Sequence, residues 1–341
     1  MNYQTQGIHM ELARGTTIYD RWLAWTLAIL LTGCSAAGQQ PSDTTLVHPL
    51  TGLIWDVRQE QFADYPALIG DAVSARHVLL GETHINPEHH RIQAEIIQDL
   101  INRRHAFALV FEIFERDQQE AIDRVLSDPQ ATSDDVATAT GIEDSGWDWP
   151  AYEPLVQLAL ADELPILAGN APRREVRQIA QAGLDAIPED EQVSLGLSAP
   201  LPHSAKSALT EVIIDSHCGH VSGEMAGRLV DAQRLRDATL ADVVLQADAD
   251  RTVLIAGAGH VRRDYGVPVY ILERTPAAEL LAIGLVEVAS DLTAPGDYLE
   301  RLEDRDVPFD YLWFTSRTMS EDPCEQFRKS LEKMHSTEPG R

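Results

Sequence analysis

Short apolar runs separated by longer helical patterns constrain the fold of this chain most. Each run is long enough for one buried strand, and they cover residues 76–80, 107–114, 165–169, 252–256, 267–272 and 280–288. Strands that alternate with helices form mostly parallel sheets with both faces covered. Helical patterns dominate from about 115 to 140 and from 173 to 246. We therefore predict an α/β fold: a mostly parallel β-sheet flanked by helices, with a small all-helical subdomain built from these two segments.

The first 33 residues have the pattern of an export signal. Residues 22–31 are apolar or neutral and follow Arg14 and Arg21. A membrane-spanning helix needs about 20 such residues, so this run is too short to cross a bilayer. A short apolar segment after positive charge and before small residues is typical of a secretory signal peptide.

Residues 31–34 (LTGC) resemble a bacterial lipobox, in which the cysteine is acylated and becomes the first mature residue. We expect residues 1–33 to be removed, Cys34 to carry the lipid, residues 34–50 to form a tether and residues 51–341 to fold. The alternative is an ordinary signal with an incidental cysteine. Ser35, in place of aspartate, is similar to an outer-membrane sorting signal, so we expect a lipoprotein of the bacterial cell envelope.

Charge and cysteine content exclude two classes of protein. The chain has 54 acidic and 27 basic residues, a net charge of -27. Such a field repels phosphate backbones, so we expect no nucleic-acid partner. Three cysteines in 341 residues exclude a disulfide-dense scaffold. Residues 217–220 (HCGH) lack the second pair of ligands that a zinc site needs. They form either a small ligand cluster or a helix end with a buried cysteine.

Polar residues follow or interrupt the predicted strands at similar places. The first strand ends in residues 81–84 (GETH), the fourth in residues 257–260 (GAGH), the third in Gly169 and Asn170, and the second contains Glu112. In open α/β sheets, ligands bind just outside the carboxyl ends of the strands. Glycine allows a tight turn there. We therefore predict a functional site that contains His84, Glu112 and His260.

The predicted buried position of Glu112 requires a cation, a metal or a proton. Arg236, on a predicted helix with Gln233 and Asp237 on the same face, is the candidate cation. It either pairs with Glu112 or holds the charge of an acidic ligand. Aromatic residues at 147–152 either pack in the core or line an apolar slot. By contrast, residues 88–90 (EHH) open a predicted helix, and we expect them to be exposed.

Four of these motifs resemble the ChaN-like haem-binding lipoproteins, in the superfamily that also contains the Tiki proteases, the TraB/PrgY proteins and the erythromycin esterases. The motifs are GETH, FEIF, QRLRDATLA and GAGHVRRDYGVP, at residues 81–84, 111–114, 233–241 and 257–268. The resemblance extends over about residues 51–288. It implies a parallel sheet with a small helical domain, haem held by a tyrosine, two haems face to face in a homodimer, and a role in iron acquisition or haem storage.

Carried over to this chain, the resemblance implies a particular set of haem contacts. Tyr265 is the only tyrosine within a matching motif, so it is the expected axial ligand, with Tyr152 as an alternative. Tyrosinate is an established ligand of haem iron. Arg262 and Arg263 lie close enough in sequence to meet the propionates, with Arg236 as a further contact.

The second hypothesis is a hydrolase, as in the Tiki-like and esterase-like relatives. His84, His260 and either Glu82 or Glu112 would hold a divalent metal with an open position for water. Alternatively, His84 would activate water without a metal. The lipobox and the residues around His260 favour the haem-binding protein.

Overall fold

A mostly parallel sheet forms the centre of the molecule. The computed structural model describes residues 48–103, 106–299, 307–318, 324, 325 and 328. Within these residues, eight strands form one sheet: β1 (Ile54–Asp56), β2 (Gln61–Ala63), β3 (His77–Glu82), β4 (Ala108–Glu115), β5 (Ile166–Asn170), β6 (Thr252–Gly257), β7 (Leu280–Glu287) and β8 (Tyr311–Thr315). Their order is β2-β1-β8-β7-β3-β6-β4-β5. Strands β3 to β8 pair in parallel, and β1 pairs antiparallel with β2 and β8.

Helices connect the strands and cover both faces of this sheet. In the described residues they are α1 (Tyr65–Ser74), α2 (Pro87–Asn102), α3 (Gln119–Leu126), α4 (Ser133–Thr140), α5 (Trp149–Ala161), α6 (Arg173–Ala182), α7 (Glu189–Ser194), α8 (His203–Ser216), α9 (Gly223–Gln246) and α10 (Val267–Arg274). Short 3₁₀ turns lie at Arg116–Gln118, Ile142–Asp144, Leu184–Ala186 and Pro295–Tyr298. The predicted α/β fold is confirmed, and the predicted helical stretches contain α3 and α4 and then α6 to α9.

Alternation along the strands divides the core into two layers. Leu80 and Leu109 face the layer made with α1, α2 and α5, whereas their neighbours Leu79 and Val110 face the layer made with α9 and α10. Every residue of β3 and β6 is buried. Parallel strands covered on both faces are apolar at consecutive positions, which explains the continuous apolar runs in the sequence.

Capping residues set where the helices next to the site begin. The side chain of Asn86 accepts a hydrogen bond from the backbone N–H of Glu88 at 2.9 Å, and Pro87 occupies the first position of α2. This is the N-cap and proline pattern that the sequence contains. Helix α2 begins directly after the short loop that follows β3. The first turn of α2 therefore lies at the carboxyl edge of the sheet.

The predicted strand at residues 267–272 is wrong, because this segment forms α10. A short continuous apolar run is compatible with a buried strand or a buried helix, and periodicity alone does not separate them. Pro268 lies in the first turn of α10, where a missing N–H has no cost. Proline at this position was the signal for a helix.

The described residues belong to one compact unit, Val47–Arg341. The predicted signal peptide, Cys34 and the tether up to residue 47 lie outside the described residues. None of the helices in the described ranges is both long and apolar enough to cross a bilayer.

Candidate functional site

Four parallel strands bring polar residues together at one edge of the sheet. Glu82 ends β3, Glu112 lies near the end of β4, Asn170 ends β5 and Gly257 ends β6. Beside them is a cleft of about 390 Å³, lined by His84, Ile85, Ile113, Glu115, Ser145, Gly146, Trp147, Asp148, Asn170, Ala171, Arg173 and Arg236. This volume lies within the roughly 300–1,000 Å³ of small-molecule sites. The predicted position of the site is therefore where the structure has a cleft.

Glu82 is a buried carboxylate with donors from three different segments. His84 Nδ1 lies 3.0 Å from its Oε1, and the hydroxyl of Tyr152 donates to the same oxygen. His90 Nδ1 forms an ion pair with Oε2 at 3.2 Å. Burial alone would raise the pKa of Glu82, but the contacts with His84 and His90 outweigh it and lower this pKa to about 2. Glu82 is therefore an anion that orients the residues around it.

His84 is the member of this group that reaches the cleft. Its side chain is 40% exposed, against 1% for that of Glu82. Nδ1 is turned toward Glu82 and Tyr152, and no described residue forms a hydrogen bond with Nε2. Burial would lower the pKa of His84, but Glu82 and the charge of Glu112 raise it overall. Glu82 therefore fixes Nδ1, while the exposed part of the ring lies at the cleft.

Two neighbours hold the His84 ring in place. Its edge packs against the Trp147 ring, with 4.7 Å between the ring centroids. Its other side approaches the backbone of Gly257, where a Cβ atom would lie 2.9 Å from His84 Cε1. A side chain at position 257 would displace the imidazole, so this strand end requires glycine.

The second glycine-histidine turn leads to a buried ionic triad. His260 Nδ1 lies 2.6 Å from Asp237 Oδ1, and Nε2 lies 3.2 Å from Glu112 Oε1. The backbone N–H of Gly257 donates to Glu112 Oε2 at 2.7 Å. Burial would lower the pKa of His260, but the two carboxylates raise it to about 10. Burial raises the pKa of Asp237 to about 6. Burial would also raise the pKa of Glu112, but the contacts of Glu112 with His260 and Gly257 lower it overall. His260 is therefore an imidazolium that joins β4 and α9.

This geometry does not fit the metal hypothesis for Glu82, His84 and His260. Both nitrogens of His260 face carboxylates, whereas a metal ligand must be deprotonated. Within the described part of the chain, no group of three or more His, Cys, Asp and Glu side chains is arranged to hold a metal ion. Residues 217–220 are not a ligand cluster either, because Cys218 forms a disulfide with Cys324.

Arg236 contributes positive charge to the cleft. Its Nη1 lies 4.0 Å from Glu112 Oε1, and its side chain is 29% exposed. No described residue accepts a hydrogen bond from its guanidinium. Nearby, the Asn170 amide donates to the Glu112 carbonyl at 2.9 Å, which leaves its buried Oδ1 without a hydrogen-bond partner in the described residues. The cleft thus offers donors at Arg236 and an acceptor at Asn170.

The other haem contacts that the resemblance implied lie outside this cleft lining. Tyr265 is 3% exposed and packs with residues of α8 and α9. The Arg262 guanidinium lies over its ring and forms an ion pair with Asp264 at 2.6 Å. Arg263 forms an ion pair with Asp310 at 3.0 Å. In this conformation, the segment after His260 packs into the core.

Four residues at or near the site have roles that were not predicted from the sequence. His89 and His90 are buried, so the expectation that residues 88–90 are exposed is wrong for both histidines. Asp237 was noted only for its helix face, and the hydroxyl of Tyr152 binds Glu82. A signal was present for His89, which shares helical spacing with the buried Ile92 and Ile96. The contact of Tyr152 with Glu82 has no signal in the local sequence.

Comparison with known proteins gives matches over most of the domain. The model of a family described as haem-binding uptake, Tiki superfamily, ChaN matches residues 68–271. A solved structure of cofacial haem binding to ChaN of Campylobacter jejuni has a TM-score of 0.61 at 20% identity, and the match covers 76% of this chain and 95% of that one. At this identity, the likeness shows the fold.

Two further matches are more distant. Protein RETICULATA-RELATED 5, chloroplastic, from Arabidopsis thaliana is 23% identical over 283 residues, which is 74% of this chain and 35% of that protein. The chain thus spans about a third of the length of this curated relative. A solved erythromycin esterase variant in its open conformation is 16% identical, with a TM-score of 0.35, over 78% of this chain and 82% of that one. That score carries no mechanistic argument.

Proposed function

We propose that this chain, which belongs to the haem-binding uptake family of the Tiki superfamily that includes ChaN, holds haem in the cleft beside the carboxyl ends of β3 to β6. The observation that carries the proposal is the position of His84. Its side chain is 40% exposed and lines the cleft, while Glu82 holds Nδ1. A ligand-binding imidazole is commonly fixed through its other nitrogen in this way.

The residues around His84 fit a porphyrin. Trp147, Ile85 and Ile113 supply apolar surface on the walls of the cleft. Arg236 supplies a guanidinium group, and such groups bind carboxylates such as propionates in a bidentate manner. Arg173 also lines the cleft, where it forms an ion pair with Glu115 at 3.1 Å. Haem, when bound, would supply a redox-active iron that takes a protein ligand.

The identity of the iron ligand stays a prediction with two candidates. Tyr265, which the family resemblance implies, is buried among α8 and α9 and would have to move to reach the cleft. Tyr152 is closer, but burial and the charge of Glu82 raise the pKa of its hydroxyl, which opposes tyrosinate formation. His84 needs no rearrangement to face the cleft.

A hemin titration of the purified domain tests the proposal and separates these candidates. The domain should bind ferric haem, and His84→Ala should weaken binding if the imidazole faces the iron. Tyr265→Phe keeps the ring and should remove a tyrosinate-type spectrum if the tyrosine is the ligand. His203→Ala, an exposed histidine at the start of α8, is the control and should bind as the wild type does. A wild-type domain that does not bind hemin would refute the function.

The proposal also includes export and a lipid anchor at Cys34. The chain has three cysteines, and pairing of Cys218 with Cys324 leaves Cys34 for acylation. Disulfides persist mainly in oxidising compartments, which supports a location in the cell envelope. Two acyl chains would hold the domain stably at a membrane. Cys34→Ala should abolish lipid labelling and release the protein from the outer-membrane fraction. Unchanged fractionation of this variant would refute the anchor.

A haem-linked homodimer and a role in iron acquisition or haem storage complete the proposal. The solved ChaN structure describes cofacial haem binding for that protein. If the same applies here, sedimentation should detect a dimer whose population grows with added hemin. A monomer at saturating hemin would refute this arrangement.

A metal-free hydrolase is the second candidate function, and the orientation of His84 favours it. The Glu82 carboxylate fixes Nδ1, and Nε2 could accept a proton from a water molecule in the cleft that attacks an ester. Hydrolysis of p-nitrophenyl acetate, an activated probe ester, should then be lost in His84→Ala and kept in Tyr265→Phe. Equal rates in the wild type and His84→Ala would refute this candidate.

A further inference from the structure

We propose that His90 is a positioning residue, which fixes the direction in which His84 presents its imidazole to the cleft. The inference rests on the proposed function, because it concerns the side chain that meets the ligand there. His90 itself does not line the cleft and is 5% exposed.

His90 reaches His84 along two routes. Its Nε2 donates to the backbone carbonyl of His84 at 2.9 Å, which holds the turn after β3. Its Nδ1 lies 3.2 Å from Glu82 Oε2, and Glu82 Oε1 in turn binds His84 Nδ1 at 3.0 Å. One ring therefore fixes both the backbone of His84 and the carboxylate that orients its side chain.

The oxygens around His90 require a proton on each of its ring nitrogens. A carbonyl oxygen only accepts, so Nε2 is a donor toward His84. Nδ1 donates to Gln93 Oε1 at 3.2 Å and forms an ion pair at 3.2 Å with Glu82 Oε2, an oxygen that accepts no hydrogen bond from the described residues. The Gln93 amide nitrogen points to the Leu80 carbonyl at 3.5 Å, which fits this orientation of the amide. His90 is thus a buried cation beside a buried anion.

Packing leaves the His90 ring little freedom. The ring meets that of Tyr152 at an angle of 63°, with 4.5 Å between their centroids. The hydroxyl of Tyr152 also donates to Glu82. Helix α2, helix α5 and the end of β3 therefore meet at this carboxylate, and His90 is the contribution of α2. A residue that supports a metal or haem ligand in this way typically contributes a factor of about 10–100 to affinity.

The neighbouring His89 provides a matched control. It lies on the same turn of α2 and is fully buried, but in the described residues it forms no hydrogen bond or ion pair with Glu82 or His84. Its Nδ1 accepts from the backbone N–H of Thr83 at 2.8 Å, and its Nε2 donates to the Thr315 hydroxyl at 2.7 Å. Replacement of His89 tests the general effect of disturbing a buried histidine in this turn.

The experiment compares the wild type, His90→Gln and His89→Gln, without ligand and with hemin. In ligand-free protein at one neutral pH, ¹⁵N chemical shifts of the imidazoles report which nitrogen of His84 bears a proton. We expect a proton on Nδ1 in the wild type and in His89→Gln, and a mixture that includes molecules with a bare Nδ1 in His90→Gln. The His84 signals are assigned by their loss in His84→Ala. Hemin affinity should fall about 10- to 100-fold in His90→Gln and change less than about twofold in His89→Gln.

The wild-type spectrum alone can overturn the proposal, even if His90→Gln fails to fold. In the ligand-free wild type, both ring nitrogens of His90 should carry a proton. A bare nitrogen in this ring would contradict the geometry on which the proposal rests. An unchanged His84 tautomer in a folded His90→Gln protein would also overturn it. Absence of hemin binding in the wild type would refute the proposed function, while the ligand-free spectra would still decide the role of His90.

Discussion

At the scale of single residues, the two glycine-histidine turns have different roles. His84 lines the cleft and has Nδ1 held by Glu82, whereas His260 has both nitrogens on carboxylates. The sequence contains the same spacing twice, and only the partners of each histidine separate a ligand-facing residue from a structural one. Those partners, Tyr152 and Asp237 among them, lie far away along the chain, so local patterns could not assign the roles.

The ionic triad predicts a loss of stability at alkaline pH. The pKa of His260 rises from 6.5 to about 10 on folding, so the folded state holds this proton more tightly than the unfolded state does. The stabilising contribution is complete below about pH 6.5 and is lost as the pH rises toward 10. Urea unfolding at about pH 7 and pH 9.5 should show this loss in the wild type and a smaller one in His260→Gln. Equal losses in both proteins would contradict the assignment.

The close approach at Gly257 predicts a selective effect on the site. In Gly257→Ala the new Cβ would lie 2.9 Å from His84 Cε1, so the ring must shift, which is a form of overpacking that costs about 1–3 kcal/mol. We expect hemin affinity to fall about 10-fold. Gly259→Ala is the control, since a Cβ there meets no atom within 4 Å. Similar hemin affinity in the two variants would contradict the proposed position of His84.

At the scale of elements, the central strands could be predicted from the sequence, and the segments around them could not be predicted as well. Continuous apolar runs identified β3, β4, β5, β6 and β7, because strands buried on both faces leave few polar positions. The same feature misled the assignment of residues 267–272, which form α10. The strands β1, β2 and β8 have three to five residues and were missed. Segments this short carry little periodic signal.

Strand β5 lies at the edge of the sheet, and we predict that Gln119 of α3 protects its backbone. Gln119 donates to the Ile166 carbonyl at 3.0 Å and accepts from the Ala168 N–H at 2.7 Å, so it occupies backbone groups of an edge strand. Gln119→Ala should lower the free energy of unfolding by about 1–3 kcal/mol and promote association through the exposed edge. Gln98→Ala, which removes only an exposed contact with Asn102, should change neither. Light scattering and urea unfolding measure the two effects.

At the scale of the whole molecule, one disulfide links distant parts of the chain. Cys218, after α8, is bonded to Cys324, which is 106 residues later. A cross-link over such a loop typically stabilises by about 2–4 kcal/mol. The double variant Cys218→Ser/Cys324→Ser should lose this amount in urea unfolding and should be insensitive to reducing agent. The wild type should lose the same amount when reduced, and a wild type unaffected by reduction would contradict the prediction.

The position of the iron in a haem complex shows whether haem binds in the cleft beside His84, Trp147 and Arg236. Crystals of the domain grown with hemin should give an anomalous difference peak at the iron absorption edge inside this cleft. We expect that peak within bonding distance of a protein side chain that lines the cleft, which is His84 unless the segment at Tyr265 has moved there. An iron peak at the surface, or at Tyr265 with that residue still packed among α8 and α9, would refute haem binding in this cleft.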